Sequence, residues 1–247
     1  MSRTKTIYIV RHGQGQHNIS ETQPEGNSQV KDPSLTLLGR TQCHALREEF
    51  PIHNKVQVVL ASGLKRTIQT AATAFSPVFA REDVKMVLIP LAQEISGRPC
   101  DVGTDVEVLR EVMEDVLRDV DVKFQRERID YGLLVEGWNG KQGIYEDSLE
   151  AVTRRAAAMR SRLWSRPETS IVLVTHGAFI HHLTEDWTGL ETGRGTAWKT
   201  CEYRTFTFDE SSNEKEAHLV EVGGPPKLEK RPWGAHADDI SGVEDVA

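Results

Sequence analysis

The chain has 247 residues, of which 38% are hydrophobic and 27% charged, with 30 Lys and Arg against 37 Asp and Glu for a net charge of −7. That length buries an ample core in one α/β unit, and an acidic balance without a Lys- or Arg-rich block argues against general nucleic-acid binding. Three cysteines make no disulfide framework, Met1-Ser2-Arg3-Thr4-Lys5 has no apolar leader core, and no stretch is long enough to span a membrane, so a cytoplasmic protein is expected.

Thr6-Ile7-Tyr8-Ile9-Val10 is a short, β-branched apolar run that predicts a buried strand over 6–10. A polar loop from Gln14 to Pro33 follows, then a helix over 36–50 with Leu37, Leu38, Cys43, Leu46 and Phe50 as its apolar positions. Strands are predicted near 56–61 and 85–90, with a helix over 65–75 between them. Residues 101–145 are acidic, helical in pattern and broken by Gly132, Gly137, Gly140 and Gly143. They are expected to be part of a small helical cap insertion over about 95–145, too short to hold its own core. A helix over 147–164 returns the chain to a strand over 170–175, and Tyr203, Phe206 and Phe208 mark a late strand over 201–208 at the sheet edge. The whole reads as a three-layer α/β/α fold on a mostly parallel sheet, one domain over 1–222. A polar tail over 223–247 follows, with Trp233 expected to pin part of it to the body.

The chemistry gathers at strand ends. Arg11-His12-Gly13 ends the first strand, and His176-Gly177-Ala178 ends Ile171-Val172-Leu173-Val174-Thr175. Open α/β sheets hold ligands at the carboxyl ends of their strands, so both imidazoles are expected in one pocket. A third strand, Val58–Ala61, turns through Ser62-Gly63-Leu64 into a helix with Arg66 in its first turn. Two histidines, two arginines and a helix N-terminus describe an oxyanion pocket, for which phosphate is the usual occupant.

On these residues the chain resembles the histidine phosphatase superfamily, the fold shared with phosphoglycerate mutase. Ile9-Val10-Arg11-His12-Gly13-Gln14 through Asn18 is similar to that family's opening signature, Ala61–Ala71 to its second block and Val174-Thr175-His176-Gly177 to its third. The resemblance implies a covalent phosphohistidine on His12, later hydrolysed by water. Arg11, Arg66 and His176 would then bind the equatorial oxygens, with Asn18 and the backbone at Gly177 and beyond as further donors. Glu94, after Val87-Leu88-Ile89-Pro90, stands where the family carries its acid/base glutamate, with Asp101 and Asp105 as the nearest substitutes. No metal or other cofactor is called for when so many donors converge.

His17, Arg98 and Trp138, with Lys141 and Tyr145, are side chains of the kind that contact a substrate beyond its phosphate. His181 and His182 show no metal-binding spacing, and Cys43, Cys100 and Cys201 lie far apart. The mutase branch carries a glycine-rich basic stretch after its glutamate. Here Ile95–Asp101 has one arginine and an early aspartate, which favours hydrolysis. Pro99–Gly103 and Glu136–Asn139 also resemble fungal phosphoglycerate-mutase-like proteins. The expected activity is hydrolysis of a small phosphorylated metabolite by a monomer or homodimer, with no nucleic-acid or membrane partner. The alternatives are a phosphatase step on a diphosphate or lipid-like biosynthetic intermediate, a phosphoglycerate-type mutase, and a non-catalytic module that binds a phosphorylated ligand.

Overall fold

The computed structural model describes residues 5–19, 29–118, 120, 124–190, 196–224 and 227. The elements run β1 (Thr6–Arg11), α1 (Leu37–Glu49), β2 (Val58–Ala61), α2 (Lys65–Ala74), α3 (Ser76–Phe79), β3 (Met86–Leu88), α4 (Val106–Glu111) and α5 (Met113–Leu117). Then come β4 (Ile129–Asp130), α6 (Leu149–Ser165), β5 (Ser170–Thr175), α7 (Gly177–Thr184), β6 (Tyr203–Phe208) and β7 (Leu219–Glu221).

The seven strands form one sheet in the order β4-β3-β2-β5-β1-β6-β7. The first five are parallel, and β6 and β7 close one side antiparallel. Strand alternation divides the core. Val10, Val59, Ala61, Val172 and Val174 face α1 and α2, while Ile7, Ile9, Leu60, Ile171 and Leu173 face α6 and α7. This is the three-layer α/β/α arrangement. Among the described residues no helix is long and apolar enough to cross a membrane.

Register positions the site. Arg11 pairs with Thr175, and Ala61 with Val174. The next residue on each strand, His12, His176 and Ser62, therefore emerges at one edge. The His12 amide donates to Thr175 O at 3.0 Å and the Ser62 amide to Val174 O at 3.0 Å, which extends the ladder to the point where the chains diverge.

Three expectations are corrected. The segment 95–145 is not simply a cap. Val106, Leu109, Met113, Val116 and Val120 recur at helical spacing and pack into the core beside α2, and Ile129 pairs with Met86 to extend the main sheet. The strand at Tyr203–Phe208 is not the edge, because β7 pairs outside it. Leu37 and Leu38 are exposed rather than buried. The inward face of α1 is Gly39, Cys43 and Leu46, after Thr36 caps the helix by accepting from the Gly39 amide at 2.9 Å. Trp233 and most of the tail lie outside the described residues.

Candidate active site

His12 ends β1 with its ring buried, and its Nδ1 lies 2.7 Å from the carbonyl oxygen of Gly13. A carbonyl only accepts, so Nδ1 carries the proton and Nε2 keeps its lone pair. The Arg66 Nε–H donates to that Nε2 at 3.2 Å. The turn is held from below by the Gly13 amide, which donates to Thr70 Oγ1 at 3.0 Å. Helix α1 comes so close that a Cβ on Gly13 would stand 2.8 Å from Gly39 O, and one on Gly39 2.1 Å from Gln14 O. Two glycines thus permit the turn to sit on the helix.

Arg66, in the first turn of α2, organises the centre. Its Nη1 donates to Cys100 O at 2.7 Å, and its Nη2 donates to Asp101 Oδ1 at 3.0 Å and His176 Nδ1 at 3.0 Å. Asp101 is fixed in turn by Ser96 Oγ, which donates to its Oδ2 at 2.6 Å. His176 accepts at Nδ1, so its Nε2 carries the proton and donates to Ser62 Oγ at 2.9 Å. Burial, and then the Arg66 guanidinium, hold His176 well below the usual histidine range, so it is neutral near pH 7. The rings of His12 and His176 meet edge to face with centroids 5.1 Å apart. The start of α2 is itself clamped by buried Asp32, which accepts from the Lys65 amide at 2.9 Å and the Thr104 amide at 2.9 Å.

Arg11 is buried beneath the start of α7. It donates to the Trp198 carbonyl and passes 3.2 Å from where a Cβ on Gly177 would lie. Asn18 closes the turn after His12 by accepting from the Gly15 amide at 2.8 Å, and the His17 ring comes within 5.7 Å of the His12 ring, centroid to centroid.

Glu94 is bound to α7. Its Oε1 accepts from the amides of Ile95 and Phe179 at 2.9 Å each, and its Oε2 from the Ala178 amide at 3.2 Å. The carboxylate therefore occupies the positive end of the helix that His176 begins. This corrects one expectation: the Ala178 and Phe179 amides are engaged by Glu94. The backbone around Glu94 is tied on both sides. Thr175 Oγ1 donates to Ala92 O at 2.7 Å, and Arg155 of α6 donates to the carbonyls of Leu91, Gln93 and Glu94, the last at 3.1 Å.

Other expected positions fall elsewhere. Trp138 is a core residue rather than a substrate contact. It is fully buried, in space that a Cβ on Gly63 or Gly103 would fill at 2.6 and 2.3 Å. Asp101 serves as the partner of Arg66, and Asp105 accepts from Asn139 Nδ2 at 3.1 Å. Arg98 lies half-buried before the Pro99–Asp101 turn. His181 Nδ1 donates to Asp186 O at 2.7 Å, and its Nε2 accepts from Thr196 Oγ1 at 2.7 Å. Sequence reasoning missed Ser62, Thr70, Asp32 and Arg155. Ser62, directly after β2, carried a usable signal, because it shares the sheet edge with both histidines.

Such a constellation has recorded parallels. The family model of the histidine phosphatase superfamily (branch 1) matches residues 7–220. Phosphoglycerate mutase-like protein 1 of Arabidopsis thaliana is 30% identical over 207 residues, covering 74% of this chain and 71% of that protein. A probable phosphatase of Schizosaccharomyces pombe is 26% identical over 179 residues, covering 71% and 76% of the two chains. The mycobacterial glucosyl-3-phosphoglycerate phosphatase, solved with vanadate, superposes with a TM-score of 0.50 at 16% identity, covering 88% of this chain and 97% of that one. Strand order, paired His-Gly turns and the match across most of the chain lead to one conclusion: this protein belongs to the histidine phosphatase superfamily.

Proposed function

We propose that the protein is a phosphatase that hydrolyses a phosphomonoester of a small molecule through a phosphohistidine on His12, without a metal. One observation carries the reading. The Gly13 carbonyl holds the Nδ1 proton, leaving Nε2 as a nucleophile in a pocket where Arg66 bridges His12 and His176. The Schizosaccharomyces pombe relative, named a probable phosphatase, supports the same reaction class.

In this reading the Nε2 lone pair of His12 forms a bond to phosphorus as the ester P–O bond breaks. Arg66, His176 and Arg11 take the equatorial oxygens, whose charge is greatest in the transition state. Glu94 passes a proton to the leaving oxygen and then accepts one from the water that cleaves the P–N bond. Three backbone amides hold the Glu94 carboxyl group in place at the start of α7.

The test is phosphate release from p-nitrophenyl phosphate, with a chelator present, by wild type and His12→Ala. Turnover that persists in the chelator and falls by ~10³-fold or more in the variant is expected. Comparable hydrolysis by the two proteins overturns the covalent route. Conversion of a phosphoglycerate to its isomer, with no phosphate released, replaces hydrolysis by a mutase reaction.

A further inference from the structure

Two cations donate to the main-chain carbonyl of Glu94: Arg155 Nη2 at 3.1 Å and Lys141 Nζ at 2.9 Å. They are placed differently. Arg155 is committed to backbone, with further bonds to the carbonyls of Leu91 and Gln93. Lys141 has three ammonium donors, and among the described residues one acceptor, the Glu94 carbonyl, is engaged and no carboxylate forms an ion pair with it. Two N–H groups remain at the wall of the pocket that holds Glu94.

The loop is built to keep that ammonium there. Trp138 is locked in the core between Gly63 and Gly103. Asn139 is buried, its Nδ2 donating to Gly103 O at 2.7 Å and Asp105 Oδ1 at 3.1 Å. The Gly140 amide then donates to Gly137 O at 2.9 Å, and Lys141 follows with φ +48°, in the left-handed region. A residue with a side chain adopts that region at a cost, and such strain collects where a side chain must be aimed.

The surroundings are those of the anion pocket. Burial and the charge of Arg155 on α6 bring Lys141 down to about 7, Asp101 and Glu94 pull it up, and Arg66 on α2 pushes it down again. The same ammonium depresses His176. A buried cation with donors to spare is stabilised when an anion arrives.

We propose that Lys141 is a substrate-binding residue whose two remaining ammonium donors take an anionic oxygen of the phosphorylated ligand beside Glu94. This rests on the reading of the His12–Arg66–His176 centre as a phosphate pocket. It adds a cation from the 139–142 loop, next to the group that protonates the leaving oxygen.

Calorimetric binding of inorganic phosphate to wild type, Lys141→Met and Lys141→Arg tests it, with melting temperatures measured alongside. Near pH 6, the Met variant is expected to bind phosphate roughly 10-fold more weakly, from the loss of a charge-assisted contact. The Arg variant should recover most of that loss. At about pH 8.5 the gap between wild type and the Met variant narrows, because the wild-type ammonium has largely lost its proton, and the ratio cancels the titration of the probe. Equal binding near pH 6, or an equal loss at both pH values with a lower melting temperature, makes Lys141 a tether of its loop and overturns the proposal. If wild type binds no phosphate at all, the phosphate-pocket reading falls, and the role of Lys141 with it.

Discussion

At the scale of single residues, Glu94 is held through both its side chain and its backbone. Its side chain caps α7, and its own carbonyl receives Arg155 and Lys141. Replacing it with Gln keeps the shape, removes the transferable proton and turns an amide donor toward backbone donors. Glu94→Gln is therefore expected to slow an alkyl phosphate by ~10²-fold or more and p-nitrophenyl phosphate, with its good leaving group, by clearly less. An equal loss on both substrates would remove Glu94 as the acid. The positions of His12, Arg66 and His176 were legible because each follows a short apolar strand, directly or through one turn. Their partners were not. Asp101 holding Arg66 joins residues 35 positions apart, and Trp138 filling space beside Gly63 and Gly103 depends on a fold that no local pattern contains.

At the scale of elements, the approach of α1 to the His12 turn is the joint on which the site stands. Thr36 caps α1 and also donates from Oγ1 to Gln14 Oε1 at 2.8 Å, so one residue fixes both helix start and loop. Gly39→Ala drives a Cβ to 2.1 Å from Gln14 O, a backbone atom that cannot rotate away. We expect a loss of about 1–3 kcal/mol in unfolding free energy, since overpacking of this kind displaces backbone. Turnover should fall as well, because the displaced turn carries His12; chemical denaturation and p-nitrophenyl phosphate hydrolysis on the same preparation measure both. Unchanged stability would mean that α1 slides freely over the turn. Helices α1, α2 and α6 were readable from the apolar pattern of the sequence and the strands that flank them. The stretch 106–120 misled through its acidic composition, although its valines, leucine and methionine recur every three or four residues and bury one face. β7 was too short to stand out, and only its pairing with β6 defines it.

At the scale of the whole molecule, burying cations and imidazoles leaves a mark on stability. His176 is held well below 6.5 by burial and Arg66, and His181 is brought down to about 4 chiefly by burial. Both are neutral in the fold and titrate at about 6.5 once unfolded. Between the folded and unfolded values the unfolded chain binds the extra protons, so stability rises with pH. The contribution is full above 6.5 and is lost as the pH falls below it, with a limiting slope of about 1.4 kcal/mol per pH unit for each histidine. The unfolding free energy, from urea titrations, should therefore drop between about pH 6.5 and pH 5, before most carboxylates protonate. An anion beside His176 favours its imidazolium form, so saturating phosphate should flatten that drop while leaving the part due to His181. A profile that is flat over this interval would show that neither ring is held neutral in the fold. The Arg66–His176 hydrogen bond, which needs a free lone pair on Nδ1, would then be absent. The polarity of the His12 centre and the part of the expected acid sensitivity that His176 carries thus both rest on buried hydrogen bonds from Arg66.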